Sequence, residues 1–109
     1  MYFVVVFLKK EEYLDEVVEA LVEAEIKGLS IVDGVEMEKV LAVDIPIFAG
    51  LVRSMGGMRG ANKVLFGITE VGDNIKEFIS ILRDIDAPED ISRLVEVISL
   101  PVSDYLSGD

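Results

Sequence analysis

Residues 2–8, Tyr-Phe-Val-Val-Val-Phe-Leu, are β-branched, aromatic or aliphatic throughout, with no polar alternation. β-Branched and aromatic residues favour an extended backbone, and the lack of alternation marks a strand covered on both faces. Such a strand belongs in the interior of a sheet. The chain has 109 residues, room for one domain that buries roughly two-thirds of the surface its unfolded form exposes. Its 51% of hydrophobic residues exclude wholesale disorder, although 10 basic against 21 acidic side chains leave a net charge of −11.

The rest of the chain alternates between two periods. Leu14, Val17, Val18, Leu21 and Val22 form one stripe with Glu12, Asp15, Glu16, Glu19 and Glu23 opposite, which predicts a helix running from Glu11 to a left-handed cap at Gly28. Residues 29–32 read as a second strand that, after a turn at Asp33-Gly34, continues through residues 35–42, and residues 63–69 read as a third. Ile75, Phe78, Ile79, Leu82 and Ile85 predict a second helix with Asp73 as its N-cap. A helical turn after Pro88 and a fourth strand over residues 95–100, closed by Pro101, complete the pattern. Strand, helix, strand, taken twice, predicts an α+β, ferredoxin-like (βαβ-βαβ) domain over residues 1–109. Its four-stranded antiparallel sheet would carry two helices on one face and a long loop between strands two and three. The bare face of that sheet would expose large side chains of the first strand, each forfeiting about 1.5–3 kcal/mol, so a homo-oligomer assembled sheet to sheet is expected.

Composition removes much familiar chemistry. With no Cys and no His there is no disulfide, thiolate nucleophile, imidazole acid or base, or Cys/His zinc site. Lys9 and Lys10 follow the first apolar run, the reverse of a secretory signal, and no apolar run approaches the roughly 18–20 residues that span a bilayer. A cytoplasmic protein without membrane insertion is expected. The absence of Gln and Cys, with only Asn62 and Asn74 as asparagines, is a compositional trait of thermophile proteins.

The chemistry concentrates in the long connection. Residues 45–69 hold no acid and three bases, Arg53, Arg59 and Lys63, in a chain that is otherwise strongly negative. Such a basic island suits a small anion. Gly56, Gly57 and Gly60 alternate with those bases, so that backbone N–H groups approach a ligand closely while the guanidinium groups meet phosphate or carboxylate in bidentate fashion. The spacing matches neither a P-loop nor a dinucleotide fingerprint, and a glycine loop with solvated arginines is the competing reading. Ile45, Ile47, Phe48 and Leu51 form an apolar segment that docks on a partner or on a second subunit.

The acids of the first helix lie opposite its apolar stripe and read as a solvated face. Asp33, Glu36, Glu38 and Asp44 are close in sequence but lack calcium-loop spacing. A net charge of −11 without a basic stripe argues against nucleic acid. Nothing pairs an acid with a base in a catalytic pattern, so no enzyme activity and no cofactor are expected.

The whole chain resembles the nitrogen regulatory PII proteins and their PII-like relatives, in both βαβ halves. The resemblance rests on Leu-Asp-Glu-Val-Val-Glu-Ala-Leu-Val-Glu-Ala at residues 14–24, Ile-Lys-Gly-Leu-Ser-Ile at 26–31, and Leu-Pro-Val at 100–102. It implies a homotrimeric cytoplasmic signalling protein whose T-loop, here residues 35–61, senses small molecules bound between subunits and docks on a transporter or enzyme. By the same resemblance Ser30 takes the place of a small hydroxyl residue near the adenine, and Lys63 that of a lysine near the ligand. Residues 43–63 look more like the divergent PII-like branch. The family's glycine-rich phosphate loop is replaced by acidic residues 85–90, and the basic residues after the last strand are missing. Two expectations follow: a small anionic metabolite or nucleotide held by Ser30, Arg53, Gly56, Gly57, Arg59, Gly60 and Lys63, or a ligand-free interaction module.

Overall fold

The unalternated run forms strand β1 (Tyr2–Leu8), an interior strand of a four-stranded sheet. The computed structural model describes residues 1–35, 61–85 and 90–108. After β1 come a 3-10 turn (Glu11–Tyr13), helix α1 (Leu14–Glu23), β2 (Lys27–Val35), β3 (Ala61–Thr69), α2 (Asp73–Arg83), the short α3 (Ile91–Leu94) and β4 (Val95–Pro101). The strands lie in the order β2-β3-β1-β4, and each neighbouring pair is antiparallel. The class is α+β.

Burial shows why this order satisfies the sequence. Val4, Val6 and Leu8 of β1 are at most 1% exposed and share one cluster with Val17, Ala20 and Leu21 of α1, Leu65 of β3, and Phe78 and Leu82 of α2. The other parity of β1 is half-buried: Phe3, Val5 and Phe7 sit between β3 and β4 on the opposite face. Opposite residues in an antiparallel ladder point to the same side of the sheet. Phe3 therefore shares its face with Ile68 and Leu100, and Val5 with Phe66 and Ile98. The Phe3 and Phe66 rings stack with centroids 5.7 Å apart.

Helix α1 stops earlier than its composition suggests. Ala24 is the C-cap, and the next residue, Glu25, takes the left-handed conformation with φ 62°. The Ile26 N–H then donates to the Leu21 carbonyl, and the Glu25 N–H to the Val22 carbonyl, both at 3.0 Å. This is a Schellman motif, in which buried Ile26 and Leu21 supply the usual apolar contact. Gly28, expected as the cap, does adopt φ 64°, but within β2, where a bulge shifts the register between Lys27 and Ser30. A non-glycine residue in the left-handed region costs about 1–2 kcal/mol. Glu25→Gly, less the entropy glycine adds to the unfolded chain, should stabilise by about 0.5–1 kcal/mol and raise Tm by a few degrees in calorimetry. A lowered Tm would show that the Glu25 side chain makes a compensating contact.

The β3–α2 turn also differs from expectation in detail. Gly72, not Asp73, is the N-cap, and Asp73 opens the helix, where its negative charge suits the positive end of the dipole. Thr69, 3% exposed, donates to the Val71 carbonyl at 3.4 Å and accepts from Asn74 Nδ2 at 2.8 Å. The turn before β4 is capped by Asp90, whose carboxylate accepts from the Ser92 N–H at 3.3 Å. Among the described residues no helix is long and apolar enough to cross a membrane.

Candidate functional site

Among the described residues, strands β2 and β3 pair as far as Val35 opposite Ala61, so the two ends of the long connection are adjacent. Just inside that root, Lys63 of β3 is the register partner of Asp33 of β2. The Lys63 ammonium donates to Asp33 Oδ1, and lies 3.3 Å from Glu11 Oε1 of the 3-10 turn. Three separate elements thus converge on one nitrogen. The lysine side chain is 22% exposed, whereas Asp33 and Glu11 are 79% and 61% exposed, so the cation is held while its partners face water.

The hydrogen bond to Asp33, and after it the bond to Glu11, hold the Lys63 pKa above its ordinary value of 10.5. A raised lysine pKa in the folded state means that folding favours the charged form. The stabilisation is fully present below pH 10.5 and disappears as the pH climbs through the higher folded-state value. The Tm advantage of the native chain over Lys63→Met should therefore hold steady up to that point and shrink above it. An advantage that widens with alkaline pH would contradict the sign of the linkage.

Of the residues expected to bind a ligand, Lys63 and Ser30 fall among the described ones. Ser30 is exposed on β2 opposite Phe66, on the face that carries Phe3 and Val5. Lys63 is opposite Leu8, on the face of the buried cluster. The ladder thus sets these two side chains on opposite sides of the sheet. Arg53, Gly56, Gly57, Arg59 and Gly60, and the apolar Ile45, Ile47, Phe48 and Leu51, lie outside the described residues. Glu11 and Asp33 are the partners that sequence reasoning missed. Glu11 reads as a helix-start acid and Asp33 as part of a turn with Gly34, whereas β2 runs through Asp33 and Gly34 to Val35, and no local spacing relates either acid to Lys63.

The face around Ser30 is apolar. Val32 on β2 and Ile98 and Leu100 on β4 are 45%, 43% and 52% exposed, flanking the half-buried Phe3, Val5 and Phe66. Glu96, opposite Phe7, supplies a charge at its edge. Among the described residues, recesses lie elsewhere. One of about 150 Å³ is bordered by Glu25, Lys27, Thr69, Glu70 and Asn74 at the far end of β3 from Lys63. A more open one of about 380 Å³ runs along Tyr2, Asp73, Lys76 and Ser99. Neither includes a residue expected to bind a ligand. Among the described residues no group of three or more acids is placed to hold a metal ion. No family model matches the chain, and no curated protein shows significant similarity to it.

Proposed function

We propose that this chain is a PII-like signalling domain of ferredoxin-like fold, with both helices on one face of the sheet. It assembles as a cytoplasmic homotrimer through the opposite face and carries no enzyme activity. A small anionic metabolite or nucleotide binds at subunit interfaces, and residues 35–61 carry its occupancy to a transporter or enzyme. The observation that carries this reading is the pairing of Val35 with Ala61, because it brings the two ends of the long connection, acid-free from residue 45 on, to within two residues of Lys63. The strand order β2-β3-β1-β4 and the exposed Val32, Ile98 and Leu100 support the fold and the assembly. Arg53, Gly56, Gly57, Arg59 and Gly60 would act on the ligand together with Lys63, and Ser30, on the opposite face of the sheet, would meet that ligand from a neighbouring subunit. Ile45, Ile47, Phe48 and Leu51 would meet the target. A coupling of about 1–3 kcal/mol between ligand and loop states gives a useful switch.

The same site favours a second reading in one respect. Lys63 is already neutralised by its own chain, as expected of a ligand-free scaffold in which the pair fixes the root of the connection. Native mass spectrometry separates the two readings. The protein is measured alone and with ATP, ADP, AMP, cyclic nucleotides, bicarbonate or 2-oxoglutarate, beside Arg59→Ala and Ile98→Asp. A trimer taking up to three copies of one anion, with uptake weakened in Arg59→Ala and assembly lost in Ile98→Asp, is the expected result. A trimer that binds none of them would leave the scaffold. A native monomer at micromolar concentration would overturn the assembly itself.

A further inference from the structure

Lys63 is the described cation of the acid-free segment, and it is not presented alone. An ammonium has three N–H donors. Among the described residues Asp33 and Glu11 contact it, two acceptors against three donors, so the ammonium has the capacity to take a further acceptor. The three groups together carry one positive and two negative charges, a local sum of −1. An anion that reaches Lys63 therefore gains one short contact to the ammonium while it approaches two carboxylates in the next layer. A compact monoanion keeps its charge at the ammonium, where attraction is strongest. Each further charge on a longer anion lies beyond the ammonium and meets the carboxylates and the chain's net charge of −11.

We infer that Asp33 and Glu11 are specificity-determining residues: they set the charge the site accepts, admitting compact low-charge anions at Lys63 and refusing polyphosphates. This rests on the anion-sensing reading and narrows the class of its ligand. The preferred ligand carries a hydrogen-bond donor of its own beside its anionic group, because both carboxylates accept and neither donates. Their exposure fits this role, since Asp33 and Glu11 at 79% and 61% exposed can turn toward a ligand without unfolding a strand.

The test uses inorganic anions, so that no base or ribose enters the comparison. Orthophosphate and tripolyphosphate are titrated calorimetrically into the full chain, Glu11→Gln, Asp33→Asn, and Glu11→Gln combined with Lys63→Met. Removing one unit of negative charge about 6 Å from a ligand strengthens binding by roughly threefold per ligand charge at low salt. Each single variant should therefore improve tripolyphosphate affinity by roughly three- to tenfold more than the improvement for orthophosphate, and the Lys63→Met combination should lose that gain. Thermal unfolding of each variant checks that it folds. If the native chain binds orthophosphate and the carboxylate variants change both affinities equally or not at all, the charge-selection inference fails while anion sensing stands. If neither the native chain nor any variant binds either anion, the charge-selection inference is overturned, and anion sensing falls with it only when the mass-spectrometric titration also shows no uptake.

Discussion

Phe78→Ala should cost about 3–5 kcal/mol of unfolding free energy, more than any other single truncation in this core. The ring is fully buried on α2, within the cluster that joins Val4 and Val6 of β1, Leu21 of α1 and Leu65 of β3. It therefore secures the helix to the central strands and to the other long helix. Truncation removes the transfer energy of the ring and leaves a cavity that main-chain elements on several sides cannot collapse to fill. With a urea slope of about 1–1.5 kcal/mol/M for a domain of this size, the denaturation midpoint should fall by roughly 3 M at fixed protein concentration. A midpoint displaced by less than about 0.5 M would mean that α2 does not depend on this anchor.

Gly67→Ala is the second large effect, and its sign runs against the usual rule. Glycine in a strand is ordinarily a weakness, and adding a methyl group removes unfolded-state entropy and stabilises by about 0.4–1 kcal/mol. Here β3 lies between β1 and β2, and Gly67 is opposite Val4. A Cβ at this position would come within 2.7 Å of Ile26 Cγ2, 2.9 Å of Leu29 Cδ2 and 3.1 Å of the Lys27 carbonyl oxygen. The two side chains can shift, but the carbonyl belongs to the bulged start of β2. Relief therefore means moving backbone between the Schellman turn and the sheet. Overpacking of this kind costs about 1–3 kcal/mol, so a net loss of about 2 kcal/mol and a Tm lowered by roughly 8 °C are expected. Serine at 67 should behave like alanine, because the clash is with Cβ itself. An unchanged or raised Tm for Gly67→Ala would show that the bulge yields freely.

The parts of the fold that were legible in the sequence are those fixed by side-chain period. The apolar run 2–8 is β1, the stripe from Ile75 to Leu82 is α2, and residues 95–100 with their closing proline are β4. Each rests on a pattern contained within a few turns or a few strand residues. What could not be read depends on backbone conformation or on distant partners. Lys27 and Gly28 have the chemistry of a helix end, yet the helix closes at Ala24, because Ile26 is more valuable buried against Leu21 than as one more helical residue. Glu25 bears the resulting left-handed conformation without any residue-type signal. The site shows the same division: the acid-free segment singles out Lys63, but its pairing with Asp33 depends on the β2–β3 register, and that with Glu11 on where the 3-10 turn sits. The arginines and glycines of the connection and its apolar segment lie outside the described residues, and they enter the functional argument through their chemistry alone.

The position of β1 also shapes how the chain must be made. Its two neighbours are β3 and β4, so once made it has one side unpaired until residues 61–69 exist and the other until residues 95–101 exist. At about 5–20 residues per second, the chain's most apolar segment waits on the order of 5–20 s beside the ribosome with its ladder incomplete. Pairings between strands so far apart in sequence also fold slowly, because closing the intervening loops precedes any contact that rewards it. A burst of translation would present many copies of Tyr2–Leu8 to one another before any of them had found its own β4. The strand that organises the finished sheet is thus the segment that most needs shielding while the protein is being born.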